Sequence, residues 1–356
     1  MQKISIIGAG ISGLSAAITL AKNGYHVDVF DRQKDSGARF GGDLQGLENW
    51  SEKTDVLEDL KSMNIDINFE TYPFDYADLT DGHRPLMHAT FKKPITYLVK
   101  RGPIPGSLDG GLEEQARNLG VSLHYQFHGH PEHPDITATG PIVNDYWAAD
   151  KGIIFKTSMP DTFMGIINND VSYKGYAYLL VVKGYGCLCT CIFDDLHRLG
   201  ENFKAAQLAF EQYVKLDIRD PKPVGGVGSF SMNSIYTHNG SIYIGEAAGL
   251  QDFLLGFGMR NAITAGYLAA NSIMTGKQFD FLMNKKFFHR KKAGLVNRFV
   301  YERFTKNGLP HQLGKVLTKT DPYPYLYSLY NFNWWQRLLY APAFIYCKKY
   351  YPQIWR

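Results

Sequence analysis

The sequence predicts an α/β chain in which a wound, mainly parallel sheet is assembled from separated segments, a mainly antiparallel α+β region is inserted into it, and a helical segment follows. Three observations predict this. From Ile4 to Asp31 a strand-like run, a glycine-punctuated turn, a helix-like run and a second strand-like run follow one another. Far downstream, at Gly240–Gly249, another strand-like run ends in small residues. Between them lie short runs rich in Tyr, Val, Ile and Cys with strand character, and past residue 281 aromatic and basic residues gather.

Composition sets outer bounds. Hydrophobic residues make up 45% of the 356, which is material for a large core and two or three domains. The four cysteines, Cys187, Cys189, Cys191 and Cys347, form no C-x-x-C pair, and a reducing, cytoplasmic compartment suits them. No basic and apolar leader precedes the run that begins at Ile4, and no stretch has the roughly 18 apolar residues of a bilayer span, so the expected protein is neither secreted nor transmembrane. The net charge of +4 conceals an asymmetry. Residues 281–356 carry 14 Lys plus Arg against Glu302 and Asp321, hence +12, which leaves 24 minus 32, or −8, for the remainder. A basic segment of this kind suits an anionic surface, either nucleic acid or lipid headgroups.

Ile4–Ile7 reads as a short buried strand, Gly8-Ala9-Gly10-Ile11-Ser12-Gly13 as the turn, and Leu14 to Asn23 as a helix that Gly24 ends. Tyr25–Phe30 is a second strand, closed by Asp31. This is the plan of a Rossmann-type dinucleotide unit. Gly8 permits the tight turn, Gly10 lets a pyrophosphate approach the backbone, and Gly13 lets helix and strand pack closely. Asp31 would accept hydrogen bonds from the adenosine ribose hydroxyls, and its charge disfavours a phosphate there, so FAD or NAD fits better than NADP.

Gly240–Gly245 reads as a strand, followed by Glu246-Ala247-Ala248-Gly249, a loop containing Gly256-Phe257-Gly258-Met259, and helix-forming composition to about Met274. This order resembles the flavoproteins of the para-hydroxybenzoate hydroxylase fold, whose last Rossmann strand ends in Gly-Asp-Ala-Ala-Gly and leads through a glycine-bearing loop into a helix aimed at the flavin. The resemblance implies FAD, with Gly245, Glu246 and Gly249 near the ribityl chain and backbone N–H groups of Gly256, Phe257, Gly258 and Met259 at the flavin pyrimidine edge. Glu246 stands where the family has aspartate. Ile11, Ser12, Arg32, Arg39 and Arg101 complete the expected cofactor-binding set.

Within that fold the chain is most similar to the geranylgeranyl reductase and lycopene-cyclase-like group, over most of residues 1–275. Three passages carry this: Arg101 with Ser107-Leu108-Asp109-Gly110-Gly111-Leu112; Lys174-Gly175-Tyr176-Ala177-Tyr178 through Gly184, similar to the family's Gly-Tyr-x-Trp-x-Phe-Pro strand beside the substrate; and Pro223–Gly228, like the segment that crosses back to the cofactor domain. The Asp-Gly pair of the hydroxylases is replaced by Ile136-Thr137-Ala138-Thr139-Gly140, and the Trp-x-Trp strand of the halogenases is absent. No second G-x-G-x-x-G with a following acid occurs, so NAD(P)H, if it is the electron donor, binds transiently.

Cys187, Cys189 and Cys191 alternate, so a strand would put their thiols on one face, either as proton donors beside a substrate or as small buried hydrophobes. With Tyr176 and Tyr178 they are the candidate catalytic residues. His128, His130 and His133 have spacing a metal could use, but their prolines indicate a surface loop, and no metal is expected. The runs Lys285–Lys292, Trp334–Tyr340 and Phe344–Arg356 interleave rings with cations in the manner of a peripheral membrane foot. The competing readings are helices packed on the body and a nucleic-acid surface, the latter unsupported by the flavoprotein resemblance.

The expected architecture is a discontinuous FAD domain (1–70, 99–150, 236–280), a substrate domain (71–98, 151–235) and a basic, aromatic helical segment (281–356). The function the resemblance implies is flavin-dependent reduction of C=C bonds in an isoprenoid or similarly apolar lipid, and the basic, aromatic segment adds a membrane surface, without nucleic acid, as the expected partner. Its alternatives are a monooxygenase of the same fold and a catalytically degenerate membrane-associated protein.

Overall fold

The computed structural model describes residues 2–129, 131, 133–141, 146–304, 318 and 321–355. Strands β1–β16 and helices α1–α8 are numbered in chain order. The first sheet is built from β1 (Lys3–Ile7), β2 (His26–Phe30), β8 (Ser122–His124), β9 (Ile136–Thr137), β15 (Thr237–His238) and β16 (Ser241–Tyr243). Its order is β15-β16-β9-β1-β2-β8, parallel except for β15. Ile4 and Ile6 of β1 and Val27 and Val29 of β2 are buried, as central parallel strands require. Helix α1 (Ile11–Lys22) crosses α5 (Met259–Thr275) so closely that a Cβ on Gly266 would lie 2.2 Å from the Ser12 carbonyl oxygen.

A small antiparallel sheet, β3 (Leu44–Glu48), β7 (Thr96–Lys100) and β4 (Tyr72–Phe74), stands between this sheet and a third. The third has seven strands in the order β14-β10-β13-β12-β11-β5-β6. They are β5 (Tyr76–Thr80), β6 (Met87–Thr90), β10 (Ala148–Lys156), β11 (Thr162–Ile166), β12 (Tyr176–Val182), β13 (Tyr185–Ile192) and β14 (Arg219–Gly228), with only the β5–β11 pair parallel. Helix α4 (Leu199–Glu211) covers one face, where Ala206 and Phe210 join Phe155, Leu179, Val181 and Leu188. The other face turns toward β3 and β7, with Cys187, Ile154 and Leu180 packed against Leu44 and Leu98. Pro223–Gly228, expected as a crossing segment, is most of edge strand β14. Proline is tolerated there because an edge strand can spare an N–H.

Short helices α2 (Val56–Ser62) and α3 (Leu108–Asn118) flank the first sheet. The C-terminal part is α6 (Phe279–Phe304), α7 (Tyr323–Ser328) and α8 (Trp334–Tyr350). Helix α6 is largely internal: Met283, Phe287, Lys291, Leu295 and Arg298 are buried. Several of its cations therefore face inward, because their carbonyl and carboxylate partners lie inside. Arg298 donates to the carbonyls of Phe253 (2.9 Å), Lys174 (2.7 Å) and Leu254.

Candidate functional site

Two segments far apart in sequence meet at the N-terminus of α1. Gly8 has φ +105°, and a Cβ there would lie 2.2 Å from the Ala138 carbonyl oxygen, so only glycine fits. A Cβ on Gly13 would lie 2.0 Å from the Gly8 carbonyl oxygen, whereas one on Gly10 would meet no protein atom within 4 Å. Gly8 and Gly13 are therefore required by the chain's own packing, while Gly10 faces open space. No side chain caps α1, and its first turn carries no acid, so its leading N–H groups and positive dipole end point outward. This is the helix start at which the sequence expects a pyrophosphate.

Asp31 accepts from Ala9 N (2.7 Å) with one oxygen and from Gln33 N (2.8 Å) with the other, and is half-buried. A carboxylate has about four acceptor positions, so two remain for hydroxyl donors. Arg32 is exposed beside it.

The downstream segment arrives through β16, which pairs with β9. Gly245, at φ +63°, sits where a Cβ would be 2.5 Å from Ser12 Oγ, so the two glycine-rich turns abut. Glu246 is held by three side-chain bonds: Arg39 Nη1 (2.8 Å) and Nη2 (2.7 Å), and Gln251 Nε2 (2.8 Å). The Arg39 fork is the bidentate kind that fixes orientation as well as charge. Gln251 Oε1 is buried without a partner among the described residues, next to Gly228 and Gly258.

The loop between the turn and α5 is rigidly supported. Asp252 accepts from Leu255 N (2.6 Å), its own N–H reaches Phe257 O (2.6 Å), and Gly256 N reaches Asp252 O (2.9 Å). Arg298 holds the loop's carbonyls from beneath, and Tyr176 Oη donates to Leu255 O at 2.5 Å. Gly258 precedes α5 without a side-chain cap, so a second bare helix N-terminus, starting at Met259, opens toward the site. Asn261 and Arg260 brace that first turn, through Leu250 O (2.9 Å) and Thr54 O (2.9 Å). Phe257 meets Trp50 edge-on at 4.8 Å.

Arg101 is buried and engaged. It grips Asp109 through Nε (2.8 Å) and Nη2 (3.0 Å), reaches Gln45 Oε1 (3.2 Å), and its guanidinium lies 4.1 Å from the Phe40 ring centre. Arg39 covers the same ring at 4.5 Å. The loop from Ser36 to Asp43 is thus clamped between two arginines, and Tyr185 Oη ties its Gly42 carbonyl to the third sheet at 2.6 Å.

On the third sheet, Tyr178 pairs across from Cys189, Tyr176 from Cys191 and Leu180 from Cys187. All five candidate catalytic residues therefore share the face turned toward the cofactor-type domain. Burial and the neighbouring thiols raise the Tyr176 and Tyr178 hydroxyls well above their ordinary range. Burial likewise raises the thiols of Cys187 and Cys189. All four hold their protons at neutral pH, and the Tyr176 proton is committed to a backbone carbonyl.

The sequence reading missed Asp150. It lies on β10 on this same face, registered opposite Cys191 on β13 and Gly226 on β14. Cys189 Sγ donates to its Oδ2 at 3.6 Å, and a Cβ on Gly226 would crowd its Oδ1 at 3.1 Å. Burial, with the negative charge of Asp43 nearby, pushes its carboxyl up to about 6. A lone acid inside a strand was the available signal, but only the fold reveals what it faces. Among the described residues no cluster of three metal-binding side chains occurs, and His130 lies outside those residues.

Residues 6–43 match the family of NAD(P)-binding Rossmann-like domains. No curated protein matches the chain by sequence. Among solved structures, a geranylgeranyl bacteriochlorophyll reductase-like protein from Thermoplasma acidophilum superposes with a TM-score of 0.71 at 14% identity, over 99% of this chain and 98% of the other. The flavin-dependent brominase Bmp2 gives 0.65 at 14% identity over 97% and 98%. A 2-methyl-3-hydroxypyridine-5-carboxylic acid oxygenase gives 0.55 at 15% identity over 88% and 93%. The chain has the fold of flavin-dependent oxidoreductases, a fold shared by reductase-like, halogenating and oxygenating proteins.

Proposed function

We propose that this chain is a FAD-dependent reductase of carbon–carbon double bonds in an isoprenoid or other apolar, lipid-like substrate, with NAD(P)H or another electron donor bound only transiently. The Gly8–Gly13 turn and the bare N-terminus of α1 would hold the pyrophosphate, with Asp31 on the ribose hydroxyls. The Glu246 and Arg39 pair would lie along the ribityl chain, and the N–H groups of Gly256–Met259 would face the pyrimidine edge. The open space at Gly10 and the unpartnered Gln251 Oε1 fit a polar group bound there.

When bound and reduced, FAD supplies a hydride. Saturating a double bond then needs a proton at the other carbon, and the observation that carries the proposal is Asp150. Its carboxyl lies on the face turned toward the cofactor turns, near the Tyr176 and Tyr178 rings and within the field of Asp43, Arg39 and Glu246, and it is half protonated near pH 6. The proton moves from its carboxyl to the substrate, and solvent reprotonates the carboxylate. The thiols of Cys187 and Cys189 are far weaker acids, so Cys189 acts on Asp150 by donating to its oxygen. Half-buried Tyr178 and Val224 extend the apolar cluster of Leu180, Ile154 and Cys187 toward it, a setting suited to hydrocarbon.

The test is oxygen dependence. Chemically reduced, FAD-loaded protein is mixed anaerobically with polyprenyl lipids, and products are weighed by mass spectrometry. Products heavier by H2 per double bond are expected. Turnover only with oxygen, inserting an oxygen atom, would replace this reading with a monooxygenase. Purified protein that takes up no FAD would overturn both.

A further inference from the structure

Helix α8 is apolar on both sides: Ala343, Cys347, Leu339 and Phe344 pack inward, and a second apolar stripe faces out. A helix docked on a protein body normally turns its polar side to water. In α8, Trp334, Leu338 and Ile345 are 73%, 71% and 68% exposed, and with exposed Ala341 they span about 60° of the helix at 3.6 residues per turn. Exposed Arg337 and Lys348 border the stripe on one side and exposed Lys349 on the other. Residues 322–356 contain no Asp or Glu.

The stripe is presented by a fixed support. Asn333 and Gln336 form a capping box, Gln336 Nε2 reaches Asn297 Oδ1 and Leu329 O, each at 2.8 Å, and Tyr346 Oη reaches Glu302 at 2.7 Å. The chain just before α8 runs back to the site: Leu326, Leu329 and Tyr330 pack in one cluster with Trp50, Leu255 and Phe257. No helix among the described residues is long and apolar enough to cross a membrane.

We infer that α8 lies in the plane of an anionic lipid bilayer, with Trp334, Leu338, Ala341 and Ile345 seated at the headgroup boundary and Arg337, Lys348 and Lys349 against the phosphates. Complementarity selects this occupant. An apolar stripe between cations matches a negatively charged surface with hydrocarbon beneath it. A second protein copy would bring the same cations face to face, and nucleic acid would leave the aliphatic residues in water. The inference stands apart from the reaction and is tested without turnover.

Full-length, FAD-loaded protein is sedimented with sucrose-filled vesicles of phosphatidylcholine, with and without phosphatidylglycerol. Strong binding is expected only with phosphatidylglycerol, accompanied by a blue shift of tryptophan emission. Each surface cation adds about fivefold to partitioning. The R337Q, K348Q and K349Q triple variant should therefore bind roughly a hundredfold more weakly, and the W334S, L338S and I345S triple variant should lose binding as well. All six positions are exposed, so circular dichroism should be unchanged. The L208S variant, at an exposed site on α4, should bind like the parent. Equal binding to uncharged vesicles, no binding to either, or parental binding by the serine variant would overturn the inference. So would a dimer in sedimentation equilibrium that the serine variant dissolves, or tighter capture by single-stranded DNA than by vesicles.

Discussion

Replacing Asp150 by asparagine separates a proton-holding acid from a carboxylate that merely sits in a sheet. Burial and Asp43 lift the folded carboxyl from 3.8 to about 6. In the unfolded chain it titrates near its ordinary value, so between these limits the folded state binds more protons. Stability therefore falls as pH rises through that window, and the full penalty is present above it. A shift of roughly two units corresponds to about 3 kcal/mol at 1.36 kcal/mol per unit, an upper value because the carboxylate is partly accessible. The asparagine carries no charge and escapes the penalty. Urea unfolding followed by circular dichroism across pH should show Asp150→Asn more stable than the parent at mildly alkaline pH by up to that amount. The gap should close below about pH 4, where both side chains are neutral. A gap that is independent of pH, or a variant less stable at alkaline pH, would refute the reasoning. Under the proposed chemistry the same variant should lose reductase turnover, with Asp150→Glu recovering part of it.

Two glycines of the first turn should separate by assay. Gly13→Ala, which meets backbone at 2.0 Å, should destabilise the apoprotein by several kcal/mol, whereas Gly10→Ala should leave apoprotein stability unchanged and weaken FAD binding at least tenfold in a fluorescence titration. Lys291 is buried, its amine donating to Asn233 O and lying over the Tyr236 ring, and burial lowers it to about 7. Its folded value lies below the unfolded one, so the cost is complete below about pH 7 and fades as pH rises toward 10.5. Lys291→Met should accordingly raise the melting temperature at neutral pH, with the gain shrinking in alkaline buffer. Arg298→Met strands three carbonyls and should cost about 3 kcal/mol or more in urea unfolding, with loss of FAD affinity through the Phe253–Leu255 support.

What could be read from the sequence was local or periodic. The β1–α1–β2 unit was legible because its signals are consecutive: apolar strand, glycine turn, helix, strand, acid. The observed α1 starts at Ile11 rather than Leu14 because the turn residues themselves adopt helical geometry once Gly10 caps them. The second turn was legible through its run of small residues, and its meeting with the first follows from parallel pairing of β16, β9 and β1. The common face of Tyr176, Tyr178 and the three thiols follows from the two-residue period of adjacent strands.

The rest depends on distance in space, which no local pattern encodes. Asp150 sits in a strand whose sequence, Ala148-Ala149-Asp150-Lys151-Gly152, resembles a solvent-facing edge. It faces inward because its register opposite Cys191 puts it on the sheet face shared with Cys187 and Cys189, and Gly226 leaves its carboxylate room. Arg39 and Glu246 were each assigned to the cofactor, yet in the fold they bind each other across the mouth between the two turns. Any flavin lying there would meet a neutralised, oriented pair rather than two independent charges, which lets Glu246 accept a hydroxyl without adding net negative charge beside a reduced, anionic ring. The C-terminal charge shows the same principle in reverse. Composition alone assigned its cations to an outside surface, but Arg298 and Lys291 point inward because buried carbonyls await them, while α8 keeps its cations and its apolar stripe together on the outside. Where charge goes in this chain is decided by which partners the fold delivers: buried carbonyls draw Arg298 and Lys291 inward, whereas Arg337, Lys348 and Lys349 find only rings and a carbonyl of their own neighbourhood among the described residues and stay at the surface.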